Sequence, residues 1–342
     1  MHKKPRNIIF FFGLLALVAA GHARAQLSLV PDPVQYIVSP ETPGPGDKVS
    51  IEVQGVGGFL GDAGITWSQN GKVVLNGVGA TDFSFVAGAL GTQTSVHVQI
   101  VSPTEGTITH DFIFSPALVN LIWEADTTAP PLYRGKSLYS AGSALKVVAF
   151  PTVIVGGAHI PGSSLSFEWS LNDNDVPSQS GLGRSVFSFT GDQLQPSEDV
   201  AVDVLYGANK VGHSEVVIPA SQPFLLLYDQ DPLRGTLYDS ALPGSISLGA
   251  KEITLQAAPY FFSNASLQSK SLQYSWTLDG EDSTGPQSAQ GVLTLRQTGS
   301  GQGSATVEVS LQNNDTDKLV HAAQATLQMV FGSSGSNSLF GL

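Results

Sequence analysis

The side chains with the most chemistry to offer are carboxylates and amides gathered into short runs. Asn172-Asp173-Asn174-Asp175 is one run, Asp279 with Glu281 and Asp282 a second, and Asn313, Asn314, Asp315 and Asp317 a third. Two pairs, Glu124 with Asp126 and Asp229 with Asp231, recur at corresponding places further along the chain. Hard oxygen donors grouped this way suit calcium, which takes six to eight oxygens at about 2.3–2.6 Å. Glu124, Asp126, Asp229 and Asp231 are the candidate calcium ligands, because they fall where repeating units meet and an ion there would stiffen a joint. None of the runs has the DxDxDG spacing of a dedicated calcium loop. Asn and Asp are also what tight turns select, so solvated turns compete with metal for the same residues. No other cofactor is indicated.

No catalytic grouping emerges. The chain has no cysteine in 342 residues, which excludes thiol nucleophiles, cysteine-bound zinc and iron–sulfur clusters. Of its seven histidines, His97, His110, His159, His213 and His321 are dispersed, without HxH or HExxH spacing. GxSxG is absent. Gly135-Lys136-Ser137 has the end of a P-loop, but Pro130 stands where its first glycine belongs and a strand, not a helix, follows. A hydrolase would have to be built from the boundary carboxylates Glu124, Asp126, Asp229 and Asp231, with raised carboxylate pKa values as its mark.

What must position these groups is legible from a repeat. WSQNG begins at Trp67, WSLND at Trp169 and WTLDG at Trp276. Each is followed by an alternating apolar segment (Phe83, Phe187, Leu293) and then by a strand of alternating valines starting at Val96, Val202 and Val307. Period-two alternation places one set of side chains on a core face and the other towards solvent. Leu165, Phe167 and Trp169 do so against Ser166, Glu168 and Ser170. No stretch sustains helical apolar spacing. Trp67, Trp169 and Trp276 read as core anchors, one per unit, with Trp123 at a unit boundary.

The units divide as residues 26–116, 117–222 and 223–332, with a polar tail at 333–342. Between them the apolar run Val119 to Trp123 reads as a strand-like linker that holds neighbours semi-rigidly in an elongated array. Residues 1–25 read as a signal peptide: a basic start at Lys3, Lys4 and Arg6, an apolar stretch from Asn7 to Ala20, and Ala23-Arg24-Ala25 before the cleavage point. That apolar stretch is short for a membrane span, and no later segment is long enough. The net charge of −12 becomes more negative once that basic segment is removed. Such a chain repels nucleic acid and anionic headgroups.

A tryptophan on an inner strand, a tight polar turn and two further alternating strands resemble immunoglobulin-like and PKD-like sandwiches of bacterial surface proteins. Tyr274-Ser275-Trp276-Thr277-Leu278-Asp279-Gly280 is the fullest instance. The chain lacks the WDFGDG-type core of PKD repeats and the cysteine pair of antibody domains. Its LRGTLYDSALPG segment also resembles secreted envelope- or pilus-associated proteins. The resemblance implies an all-β chain of three tandem immunoglobulin-like antiparallel β-sandwiches. It also implies an extracytoplasmic, secreted or cell-surface location and other envelope or appendage proteins as partners. Function then reads as non-enzymatic, structural or interactive. The rivals are a glycan-binding array presenting Tyr133, Tyr139, Tyr238 and Phe261 on a sheet face, and the hydrolase described above.

Overall fold

The computed structural model describes residues 33–249, 252–268, 271–299, 301–313 and 322–331. The expected signal peptide, the tail, and Asn314, Asp315, Asp317 and His321 lie outside these residues. Among the described residues strands account for nearly all regular structure, as the alternation requires, apart from three short 3-10 turns and one helix, α1 (Asn264–Gln268). Among the described residues no helix is long and apolar enough to cross a membrane.

The first sandwich holds β1 (Val34–Ser39), β2 (Lys48–Gly55), β3 (Gly64–Gln69), β4 (Lys72–Val78), β5 (Asp82–Val86), β6 (Thr94–Ser102) and β7 (Gly106–Phe114). One sheet runs β1-β2-β5 and the facing sheet β4-β3-β6-β7. The second sandwich contains β8 (Leu118–Ala125), β9 (Ala144–Val155), β10 (Ala158–Ile160), β11 (Ser166–Leu171), β12 (Asn174–Asp175), β13 (Gly181–Leu182), β14 (Val186–Thr190), β15 (Ser197–Tyr206) and β16 (Asn209–Pro219). Here β9 carries β8, β10 and β14, opposite β12-β11-β15-β16. The third contains β17 (Phe224–Asp231), β18 (Gly235–Thr236), β19 (Ser245–Leu248), β20 (Glu252–Tyr260), β21 (Leu272–Leu278), β22 (Glu281–Asp282), β23 (Val292–Arg296), β24 (Gly303–Asn313) and β25 (Ala322–Phe331). Its sheets are β18-β17-β20-β23 and β19-β25-β24-β21-β22. The strand sequence recurs three times in the arrangement of an immunoglobulin-like sandwich. One pairing departs from the antiparallel expectation: β19 lies parallel to β25, Ser245 opposite Gln328.

Each tryptophan strand pairs with its valine strand in one register. Trp67 lies opposite Val98, Trp169 opposite Val202 and Trp276 opposite Val309. All six side chains are buried, with no more than 3% of any exposed. The indole N–H of each ring donates to a carbonyl across the core: Trp67 to Ala80 and Trp169 to Arg184 at 2.8 Å, Trp276 to Ser288 at 3.2 Å. Trp67 stacks on Phe83 and Trp169 on Phe187, centroids 5.2 and 5.4 Å apart. In the third sandwich the corresponding Leu293 is buried in the same apolar cluster as Trp276. A separate apolar cluster forms around each ring. No disulfide is available, so packing and ladders alone join the sheets.

The run Val119 to Trp123 is not a linker. It lies inside β8, laddered to β9 from Leu118↔Thr152 to Ala125↔Leu145. Trp123 accordingly packs against the second sandwich's own core, with the Lys136 ammonium 3.1 Å from its ring centroid. Sequence alternation marks a strand but not the sandwich that receives it.

Candidate functional site

The acidic runs after the tryptophan strands are hairpin turns. Asn70-Gly71, Asn172-Asp173 and Asp279-Gly280 all have positive φ. They close two-residue loops between Gln69↔Lys72, Leu171↔Asn174 and Leu278↔Glu281. Paired positive φ is the type I′ geometry that hairpin twist favours, and Asn, Asp and Gly tolerate it best. The first residue of each turn then does the same thing in all three copies. Its side-chain oxygen accepts the backbone N–H of Ser95, Asp199 or Thr306, at 2.9, 2.9 and 2.7 Å. Its own N–H donates to the carbonyl of that same residue, at 2.9, 2.8 and 2.8 Å. A side chain thus continues the ladder one step beyond the strand and pins the hairpin to the valine strand.

Glu124 and Asp126 lie beside the contact between the second and third sandwiches, and among the described residues the four boundary carboxylates do not gather at one site. Glu124 and Asp126 line one cleft with Asn264 and Lys146. Lys146 Nζ stands 2.9 Å from Glu124 Oε1, so an ammonium already occupies the cation position there. Asn264 Nδ2 donates to Asp126 Oδ1 at 2.7 Å. Asp229 and Asp231 belong to the β17–β18 hairpin instead. Asp231 Oδ1 accepts the N–H groups of Arg234 and Leu233 at 2.8 Å each. Those bonds hold its carboxyl below the ordinary range, opposite to the direction a general acid needs. Among the described residues no three His, Asp or Glu side chains gather as a metal site.

What the cleft borders is a joint. After β8 the chain leaves its sheet, and Asp126 to Thr128 run antiparallel to Phe261–Asn264 of the third sandwich, with Thr127 bridging Ser263. Thr128 N–H donates to the Phe262 carbonyl and Phe261 N–H to the Thr128 carbonyl, both 2.8 Å. Phe262 N–H also donates to Thr128 Oγ1 at 3.0 Å, and Asn264 N–H to the Asp126 carbonyl at 3.2 Å. Phe261 holds φ of 61°, costly for a bulky residue and tolerable when its surroundings over-determine it.

Aromatic rings back this ladder. Phe224 stacks on Tyr260 at 4.8 Å, and Tyr133 meets Tyr260 and Phe261 edge-on at 5.8 and 5.9 Å. Tyr228 and Tyr260 share a hydroxyl–hydroxyl bond of 2.5 Å. Burial, then that bond, pushes the Tyr228 phenol well above its ordinary pKa. Of the four aromatics expected on a sheet face, Tyr139 and Phe261 are buried (0% and 4% exposed), while Tyr133 keeps 40% exposure and Tyr238 is half-buried. Packing buries both: Phe261 closes the joint, and Tyr139 enters the second core.

The first joint is lighter. Ala117 N–H donates to the Pro43 carbonyl at 3.3 Å, and Lys210 Nζ reaches Glu41 at 3.3 Å and Asp203 at 2.9 Å. His213 Nδ1 lies 2.6 Å from the same Asp203, and His97 Nδ1 lies 2.7 Å from Asp111 in the first sandwich. The histidines stay dispersed.

Sequence reading missed Glu198, a carboxylate with no exposed surface. Its Oε1 accepts the Tyr139 hydroxyl at 2.8 Å and the Asp192 N–H at 2.5 Å, and its Oε2 accepts Asn172 Nδ2 at 2.8 Å. Desolvation first, then Glu198, raises the Tyr139 phenol far above its usual range. Parity holds the missing signal. Glu198 shares the inward face of β15 with Val200, Val202 and Val204, where a carboxylate must find several donors. The group ties the 139–143 and 192 loops to the Asn172 turn.

No protein-family model matches the chain, and no curated protein matches its sequence. Solved structures with similar arrangements are themselves multi-domain. Three N-terminal domains of the outer capsid protein Hoc of bacteriophage RB49 share 13% identity over 87% of this chain and 97% of theirs, with a TM-score of 0.25. The central fibronectin-III array of RIM-binding protein shares 10% over 87% and 97%, at 0.27. SGBP-B of the Bacteroides ovatus mixed-linkage glucan utilization locus, in complex with a mixed-linkage heptasaccharide, shares 10% over 87% and 70%, at 0.20. At such scores the superpositions are loose, and the fold rests on the sheets and cores themselves.

Proposed function

We propose that the chain is a non-enzymatic, extracytoplasmic module protein, a spacer or interaction component of the cell envelope or of a surface appendage. In this reading the divisions fall at 116/117 and 222/223 and residues 1–25 direct export. One observation supports it: the backbone and side chains of Asp126 and Thr128 are engaged in joining two sandwiches, and Glu124 is paired with a lysine of its own sheet. Asp126, Thr128 and Asn264 bond across the joint, Lys146 neutralises Glu124, and buried rings fill behind them. A joint with both a ladder and an apolar cluster holds its neighbours at a set angle, which suits a spacer.

Crosslinking mass spectrometry on intact producing cells tests the reading. Reproducible crosslinks between this chain and envelope or appendage proteins are expected. Recovery from the medium alone, without crosslinked protein, would refute it. A glycan-binding role is the second reading, favoured by Tyr133 and Phe224, which are 40% and 39% exposed and both contact Tyr260. Oligosaccharide titration followed by tyrosine and tryptophan fluorescence decides it, with a saturable change abolished by Tyr133→Ala as its mark.

A further inference from the structure

The last strand of the first sandwich and that of the third present their outer edges differently. In the third, β19 lies along β25 in parallel, from Ser245↔Gln328 to Leu248↔Phe331. Ser245 and Ser247 are exposed, Ile246 and Leu248 are half-buried, and Ile246 packs against the third core. In the first, β7 ends its sheet, and among the described residues no strand lies on its outer edge. The reason is in the connection. β19 belongs to the link between β17 and β20, but the corresponding link between β1 and β2, residues 40–47, holds Pro40, Pro43 and Pro45. Proline has no N–H to give to a ladder. Other groups of that link are bonded elsewhere: the Pro43 carbonyl to Ala117 N–H, Gly46 N–H to the Ala87 carbonyl, and Gly44 N–H to Asp47 Oδ2.

Beside the β7 edge lies a cleft of about 1160 Å³, lined by all of residues 34–38 and 110–115. Successive residues of a strand point to opposite faces, so a cavity that touches all of them runs along the edges of β1 and β7. The two strands point the same way, since Tyr36 meets His110 and Phe112 while Pro43, further along, meets Ala117. Tyr36 and Phe112, packed against the first core, form the floor. Ile37 and Ile113, 47 and 68% exposed, form the rim. Such a seat suits a strand with apolar side chains at alternate positions, as β19 has. Gln26-Leu27-Ser28-Leu29-Val30 has that alternation. It lies outside the described residues and is joined to β1 through Pro31, Asp32 and Pro33, residue types that turns select. Five extended residues span about 17 Å, the same as residues 110–114 of β7 that border the cleft.

We propose that residues 26–30 fill this cleft as an added strand on the outer edge of β7, with Leu27 and Leu29 turned onto Tyr36 and Phe112. The strand doubles back from β1 and so runs antiparallel to β7, bonding the N–H and C=O groups that β7 turns away from β6. It does for the first sandwich what β19 does for the third, because a covered edge recruits no foreign strand.

Residue-level hydrogen exchange on the chain from Gln26 onward tests this. Alternate β7 amides, those turned away from β6, should exchange slowly. Leu27→Asp with Leu29→Asp should speed them by about tenfold or more, while the β7 amides bonded to β6 and the melting of the second and third sandwiches stay unchanged. Ser28→Asp, on the solvent side of the added strand, should leave the protection in place, which separates a lost seat from added charge. In a chain begun at Pro33 the same amides should exchange fast, and slow again when a synthetic peptide of residues 26–32 is added. Outward β7 amides that are fast in the chain from Gln26 overturn the proposal and leave the edge to a strand of another protein. Protection that survives both the leucine variant and the truncation overturns it equally.

Discussion

Trp169→Ala removes one of the largest fully buried side chains in the second sandwich, and its effect should spread in one direction only. The ring is 1% exposed, stacks on Phe187 and donates to the Arg184 carbonyl. Truncating a buried aromatic costs about 3–5 kcal/mol, and the lost hydrogen bond adds about 1 kcal/mol. Against a domain stability of about 5–15 kcal/mol, the second sandwich becomes marginal. At roughly 4–8 °C per kcal/mol for a domain of about 100 residues, its midpoint falls by at least about 16 °C. The third sandwich then loses the bonds from Asp126 and Thr128 to Phe261, Phe262 and Asn264. It should weaken by about 2 kcal/mol or more. The first sandwich touches the second through the lighter Pro43–Ala117 and Glu41–Lys210 contacts and should keep its midpoint. Calorimetry with residue-level hydrogen exchange reads all three. A single transition that moves as a whole, or a first sandwich that falls as far as the third, would refute the reasoning.

Further expectations follow from single contacts. Asp279→Ala strands the Thr306 N–H and keeps a positive φ without a side chain suited to it; the third sandwich should lose about 1–2 kcal/mol in chemical denaturation. Asp279→Asn should lose little, because Asn70 and Asn172 already fill the same role. Glu198→Ala leaves the Asp192 N–H and Asn172 Nδ2 without their acceptor and the Tyr139 hydroxyl with the Asp192 carbonyl alone, and should cost the second sandwich about 2 kcal/mol or more. The raised phenols predict alkaline lability. Folded Tyr139 and Tyr228 hold protons that the unfolded chain releases near the ordinary value of 10.0, and Tyr274 does so up to about 12. Their stabilisation is complete below pH 10 and is lost as pH climbs through the folded values; Tyr139→Phe should flatten the alkaline limb for the second sandwich. Chelator should leave every melting midpoint in place, since Lys146 and Asn264 already engage Glu124 and Asp126.

How much was legible in the sequence depends on the range of the signal. Period-two alternation displays a core face directly, so the Trp67, Trp169 and Trp276 strands and their valine partners stood out. The same parity would have exposed Glu198, had polar residues on the inward face been examined along with apolar ones. Asn172 and Asp279 were recognisable as turn formers, but their bonds to Asp199 and Thr306 join strands that fold together from well-separated segments. The pairing of Thr128 with Phe261 and Phe262 left no trace in spacing. It needs no periodicity, merely a stretch of backbone whose N–H and C=O groups find partners across a boundary. The run from Val119 to Trp123 misled for a related reason, because an apolar strand looks alike whether it links two units or opens one.

A repeat reveals what its copies share, and here the shared parts are structural: the buried indole, its carbonyl partner, the valine strand and the pinned turn. Whatever distinguishes this chain from a generic sandwich array must lie where the copies differ. Three such places stand out. The stretch from Asp126 to Leu138 locks the second sandwich to the third and has no equivalent bonding at the first joint. β19 covers the outer edge of β25 by parallel pairing, while in the first sandwich β7 ends its sheet. β4 is long and apolar where its counterparts are short and acidic. The third sandwich is thus covered at its last-strand edge and fixed to its neighbour, and in the first, among the described residues, β4 and β7 end the four-stranded sheet. That asymmetry distinguishes the two ends of the chain: the second and third sandwiches are bonded to each other by a backbone ladder, whereas the first carries a long apolar strand at the end of its sheet.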